Sequence, residues 1–215
     1  MRRALAVRRI AVLISGGGSN LQALIETVRG SDRDEIGLVV ANAPGAYGLE
    51  RAARAGIEAA LVDHRDYDAR SAFEKAINDL LLRHGIDFVC LAGFMRVLGA
   101  DLVRRWEGRM INIHPSLLPS FPGLRTHERA LAAGVAVHGC TIHLVRPELD
   151  DGPILVQGIV PVLPRDDARS LARRVLEVEH RCWPTALRLT REAPDSAALD
   201  RLVVHPLLRA PAGKT

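Results

Sequence analysis

Proteins that stack nucleic-acid bases need Phe, Tyr and Trp, and this chain has few: aromatics make up 4% of its 215 residues. That scarcity argues against reading single-stranded bases by stacking. Lysine is nearly missing too. Lys75 and Lys214 are the only two, so the formal charge of +4 rests on arginines interspersed with acids. No basic tract for a nucleic-acid backbone results. The terminal cluster of Arg2, Arg3, Arg8 and Arg9 reads as a solvated basic end. Cysteine is limited to Cys90, Cys140 and Cys182, an odd number without a CxxC pair. This excludes a disulfide framework and fits a reducing compartment. No apolar run approaches a membrane span, and Arg8 and Arg9 interrupt the apolar stretch that a signal peptide would need. A cytoplasmic protein without nucleic-acid or membrane partners is expected.

What is present is core. Apolar residues make up 48% and charged residues 25%, enough to fold as a globular domain. RIAVLIS (9–15) reads as a buried parallel strand running into glycines. Leu21, Leu24, Ile25 and Val28 then fall at helical spacing. Strand patterns recur at 36–42, 59–62 and 87–93, with helices predicted at 47–54 and about 67–83. This β-α alternation predicts an α/β fold, an open, mostly parallel twisted sheet flanked by helices. The second half reads as a strand at 109–115, a proline-rich loop, a short helix at about 127–133 and two β runs at 139–145 and 154–162. A charged amphipathic helix follows at about 167–188, which Pro184 should kink or break. The residues from Ala210 on should fray. With no linker or repeat, a single domain 1–215 is expected, with a phosphate-binding half to about 106 and a catalytic half from about 107.

Two stretches carry chemistry. In SGGGSNLQ, Gly16, Gly17 and Gly18 end a strand, and Ser19 and Asn20 open a helix. Glycines let backbone approach an anion, and a helix start offers unpaired N–H groups and partial positive charge. No Lys–Ser/Thr follows, so this is not a P-loop. Leu21 replaces the third glycine of a dinucleotide fingerprint. A mononucleotide-type phosphate cradle is one reading; a plain strand-to-helix turn capped by Ser19 is the other.

NIHPSLLPSFPG is the second. Asn112 and His114 lie two apart at a strand end and share a face, where open α/β sheets place ligands. Pro115, Pro119 and Pro122 stiffen the loop behind them. His114 can donate to a developing oxyanion or shuttle a proton, and Asn112 can donate an amide N–H to the same oxygen. A carboxylate is wanted to orient the imidazole, and Asp150 in the turn PELDDGP is a candidate. If that turn is extended, only one of Asp150 and Asp151 can face His114. A metal site is not expected: HExxH is missing and the remaining histidines lack ligand spacing.

GGGSNLQ, LAGFMRVL, NIHPSLLPSFPG, HGCTIHLV and LDDGPILVQ, in this order from about Ile10 to about Pro184, resemble the folate-dependent glycinamide ribonucleotide formyltransferases. The resemblance implies transfer of a formyl group from 10-formyltetrahydrofolate, the co-substrate, to the amine of glycinamide ribonucleotide in purine synthesis. Neither metal nor nucleotide triphosphate is implied, and a monomer or homodimer is. Gly18, Ser19 and Asn20 would hold the substrate phosphate, and Glu179 would lie near its ribose and glycinamide. Arg70 and Met95, Arg96, Val97 and Leu98 would lie on the folate side, with Asn112 at the formyl group. His114 matches the catalytic histidine and Asp150 its carboxylate; a cis peptide is implied before Pro119. The chain departs from the pattern at Gly17, where asparagine is common in bacterial members, at Asp151, where glycine is usual, and at Leu176, where a polar residue is usual. Methionyl-tRNA formyltransferase and formyltetrahydrofolate deformylase share the Asn–His–Asp arrangement. They normally carry a further C-terminal and N-terminal domain respectively, which are not expected here. A non-catalytic phosphate- or nucleic-acid-binding α/β module would need none of Asn112, His114 and Asp150.

Overall fold

The computed structural model describes residues 7–192 and 203–205. Strand β1 (Arg8–Ile14) is followed by α1 (Ser19–Val28), β2 (Asp34–Ala41), α2 (Tyr47–Arg54) and β3 (Ala59–Leu61). Then come α3 (Arg70–Arg83), β4 (Phe88–Leu91), α4 (Ala100–Arg105), β5 (Met110–His114) and α5 (Thr126–Ala132). Strands β6 (Val137–Leu144) and β7 (Ile154–Pro161), helix α6 (Ala168–Glu192) and strand β8 (Val203–His205) complete the order. The strand order is β3-β2-β1-β4-β5-β6-β7-β8. The open, mostly parallel sheet flanked by helices is the architecture that the strand–helix alternation predicts.

By its contacts the chain divides into two compact units. One holds the described residues to Asn112 together with Leu144–Glu148; the other holds Ile113–His143 and the described residues from Leu149. In the first, β1 pairs in parallel with β2 and β4, β2 with β3, and β4 with β5. A strand buried on both faces must be apolar there, and after Arg8 and Arg9 β1 is: Ile10 to Ile14 are fully buried. Ala11 and Leu13 meet Phe73, Ile77 and Leu81 of α3, Leu102 and Val103 of α4, and Trp106. Ile10, Val12 and Ile14 alternate to the opposite face. Trp106 donates its indole N–H to Asn78 Oδ1 at 3.1 Å, so the ring is buried without stranding its polar atom.

In the second unit, β6 and β7 form an antiparallel pair and β8 adds to β7 in parallel. Helix α6 turns Leu171, Val175, Val178, Cys182 and Ala186 inward at helical spacing. Two glycines permit the closest contacts. A Cβ on Gly139 would collide with the Gly158 carbonyl oxygen, and one on Gly158 with Val178 of α6.

Several details differ from the sequence expectation. Helix α6 runs through Pro184 to Glu192 rather than breaking there. The buried face on both sides of the proline, including Cys182, Trp183, Ala186 and Leu187, supplies packing that outweighs one lost backbone bond. Helix α4 and a single 3-10 turn at His64–Asp66 were not anticipated, being too short for a clear period. Strand β8 was not anticipated either. The fraying expected from Ala210 lies outside the described residues. No described helix is long and apolar enough to cross a membrane.

Candidate active site

In the first unit, the glycine loop leaves the end of β1 and enters α1. Gly18 stands at the N-cap with φ 67°, the left-handed region that glycine enters without steric cost. It makes no side-chain cap, so Ser19 does not play the capping part that a plain turn would give it. The turn is packed from behind: Gly48 N donates to Gly16 O at 3.1 Å, and a Cβ on Gly18 would come within 2.7 Å of Gly48 Cα. Gly16 and Gly17 instead face open space. Asn20 is buried and Ser19 half-buried at the helix start. Arg51 of α2, which the sequence reading passed over, donates from Nε to Gly17 O at 2.9 Å and from Nη1 to Gln22 Oε1 at 3.3 Å. The result is a clamped loop with glycine backbone outward and a helix N-terminus behind it.

The segment Met95–Leu98 is tied to the same strand end. Ser15 Oγ accepts the N–H of Met95 at 2.7 Å and donates to Asn42 Oδ1 at 2.6 Å; Ser15 N donates to Gly93 O. One hydroxyl thus joins the ends of β1, β2 and β4, the edge where open α/β sheets take ligands. Met95 and Val97 are 68% and 56% exposed, while Leu98 is buried in the core, so the segment offers apolar surface from an anchored base. Arg96 is exposed. Exposed Arg70 pairs with Glu74 at 3.5 Å, and Glu74 Oε1 accepts the Gly99 N–H at 2.6 Å. The folate-side residues of the sequence reading therefore sit on neighbouring turns of one unit. Neither Ser15 nor Asn42 was anticipated.

Strand β5 ends at His114, and Asn112, two positions earlier, shares its face. In the second unit, His114 is 6% exposed and both ring nitrogens face acceptors. Nδ1 lies 3.5 Å from Asp150 Oδ2, and Nε2 lies 3.1 Å from the Phe121 carbonyl oxygen. A neutral ring can donate to one of the two; an imidazolium donates to both. Asp150 is itself held: Oδ2 accepts the Gly123 N–H at 2.8 Å, and Oδ1 is 3.9 Å from His143 Nε2. Its backbone has φ 55°, so the turn is left-handed at this point rather than extended. That twist, not strand alternation, directs the carboxylate inward, while Asp151 is exposed.

The loop after His114 is braced throughout. The Leu118–Pro119 peptide is cis, as the resemblance implies. Thr141 Oγ1 donates to Ser116 O at 2.7 Å and accepts from Leu118 N at 3.0 Å. Gln157, opposite Thr141 in the β6–β7 register, donates to Leu118 O at 2.8 Å. Ser116 Oγ donates to Ser120 O at 2.6 Å. Thr141, His143 and Gln157 escaped the sequence reading, although the period-2 spacing of Thr141 and His143 in HGCTIHLV was a usable signal. Glu179 is buried on α6, one turn after half-buried Leu176.

The chain matches the family described as formyl transferase over residues 8–187. It is 49% identical over 185 residues to the trifunctional purine biosynthetic protein adenosine-3 of Drosophila pseudoobscura pseudoobscura, covering 85% of this chain but 14% of that protein. It therefore spans about a seventh of the length of that relative. It is 41% identical to phosphoribosylglycinamide formyltransferase of Escherichia coli, with 83% of this chain and 84% of the relative covered. Among solved structures, glycinamide ribonucleotide transformylase 1 from Symbiobacterium toebii superposes with a TM-score of 0.84 at 46% identity, covering 86% of this chain and 88% of that one.

Proposed function

Because the chain belongs to the formyl transferase family, we propose that it transfers the formyl group of 10-formyltetrahydrofolate to the amine of 5-phosphoribosylglycinamide. The products are N-formylglycinamide ribonucleotide and tetrahydrofolate, in purine biosynthesis. The observation that carries this reading is His114 at the end of β5, its two nitrogens aimed at Asp150 and at Phe121 O, with Asn112 on the same strand face.

The amine nitrogen forms a bond to the formyl carbon, and the carbonyl electron pair collects on oxygen. Asn112 donates to that oxygen, and so does His114 as its Nε2 N–H exchanges the Phe121 carbonyl for the developing charge; donors of this kind are each worth roughly 10²- to 10³-fold in rate. The bond from the carbon to N10 then breaks as the oxygen's electron pair returns. The attacking amine loses one proton and N10 gains one, so the exchange balances without a further reactant. His114, partnered by Asp150, and water relay that proton.

Substrate grip follows from chemistry already described. Gly18, Ser19 and Asn20 present backbone donors and the positive end of α1 to the phosphate, and Glu179 takes the sugar and glycinamide side. Exposed Met95 and Val97, with Arg70, Arg96 and buried Leu98, form the folate side. On this reading the protein is a cytoplasmic enzyme with two small-molecule substrates, working as a monomer or homodimer in one formyltransferase domain. The test is formyl transfer by purified protein from 10-formyltetrahydrofolate to glycinamide ribonucleotide, to initiator methionyl-tRNA and to water. Preferred formylation of the ribonucleotide is expected. Efficient formylation of the tRNA with none of the ribonucleotide would overturn the proposal.

A further inference from the structure

We infer that His138, a buried histidine at the start of β6, is a positioning residue for His114 and acts through both ends of the loop 115–121. This deepens the reading in which His114 is catalytic, and it rests on that reading.

His138 is 1% exposed, and β7 backbone packs directly against its neighbour Gly139. It reaches the catalytic loop twice. The Pro115 carbonyl, one residue after His114, lies within reach of its ring and favours a proton there. Nε2 is buried without a partner, so the donor to Pro115 is Nδ1. At the far end of the loop, the Phe121 ring meets the His138 ring edge-on, at 5.9 Å between centroids and 73° between planes. Phe121 supplies the carbonyl that accepts from His114 Nε2, and it does so from φ 57°, a conformation that needs outside support in a non-glycine residue. Arg129 adds to that support, its guanidinium 5.7 Å from the Phe121 ring centroid and Nη1 bonded to Pro122 O.

His127 of α5 backs His138 at 5.3 Å with an interplanar angle of 89°, and its Nδ1 is likewise buried without a partner. The stack His127–His138–Phe121 is thus a rigid wedge whose last member fixes the acceptor for the catalytic ring. The wedge works while His138 is neutral. Burial, with His127 and His114 nearby, lowers its pKa to about 4 against the pull of the Pro115 carbonyl, and burial lowers that of His127 too. The titratable and charged groups facing the stack are His114 from β5, Glu128 beside His127 and Arg129 on Phe121.

The test compares three variants, with circular dichroism and thermal melting as folding controls. His138→Phe keeps a ring against Phe121 but loses the donor to Pro115, so kcat should fall about 10- to 100-fold, the scale of an ångström-sized misplacement. Both KM values should stay within about two-fold. His138→Asn places an amide N–H where Nδ1 stands and should recover most of kcat. Phe121→Leu keeps the carbonyl but loses the ring contact; it should lower kcat, and its loss should not multiply with that of His138→Phe. A folded His138→Phe with parental kcat, a loss confined to KM, or an Asn variant as poor as Phe would overturn the inference. If His138→Phe fails to fold, unchanged kcat in Phe121→Leu overturns it. His114→Ala separates the two levels. If it is inactive while the His138 and Phe121 variants are normal, only this inference fails; if it is active, the reading of the site fails with it.

Discussion

Asp150 Oδ2 stands 3.5 Å from Nδ1 of His114 while accepting the backbone N–H of Gly123 at 2.8 Å. The carboxylate is thus anchored to the loop that carries the other acceptor of the same imidazole.

This anchoring separates the neighbouring acids. Asp150→Asn should lower kcat roughly 10²- to 10⁴-fold, the usual scale for acid–base groups. The fold should be kept, since Asn accepts a left-handed backbone well. Exposed Asp151→Gly should leave kcat within a few-fold. Steady-state kinetics of both variants decides the matter, and a dead Asp151→Gly beside an active Asp150→Asn would reverse the assignment.

Gly17 and Gly18 should respond differently to substitution. Gly18→Val combines a left-handed φ with collision against Gly48, so it should cost stability, about 1–3 kcal/mol, besides raising the KM for the phosphorylated substrate. Gly17→Ala projects into open space and should leave the melting temperature and both KM values nearly unchanged. Thermal melts with both KM values check this; a rise in the folate KM of equal size would mean that the loop serves folding only.

Stability should fall in acid through His138. Its folded pKa, about 4, lies below the ordinary histidine value, so the unfolded chain binds the proton more readily. The contribution is fully present above about pH 6.5 and is lost as pH falls toward 4. Urea midpoints between pH 7 and 4.5 should decline, and more shallowly in His138→Asn. Parallel curves would sink the claim.

Gly139→Ala should destabilise the second unit by about 1–3 kcal/mol or more, because the added methyl meets the Gly158 carbonyl rather than a yielding side chain. Gly134→Ala is the control: it has open space, so its cost is confined to its positive φ. Equal melting temperatures would refute the steric account.

Much of this was legible beforehand. Strand β1 and helix α1 announce themselves by an unbroken apolar run and a helical spacing, both local signals. Asn112 and His114 could be placed on one face because strand periodicity needs no tertiary information. Asp150 is a candidate partner for His114 on chemistry alone, but the choice of it over Asp151 rests on the resemblance, since the two are brought together by a left-handed turn that the letters DD do not encode. Ser15, Arg51, Thr141 and Gln157 were missed for the same reason. Each works by a hydrogen bond to backbone distant in sequence, and polar residues of this kind look like any other strand or helix surface. Pro184 misled because its local penalty is legible and the packing that overrides it is not.

The uneven footing of Gly16, Gly17 and Gly18 also bears on how such a chain can drift. Packing sets no limit on the side chain at 16 or 17, so those sites are open to substitution wherever the proposed substrate phosphate allows, an asparagine at 17 included. At 18 the backbone angle and the nearness of Gly48 leave glycine as the one residue without penalty. A lineage exploring new acceptors would therefore alter the first two letters of the loop and inherit the third unchanged.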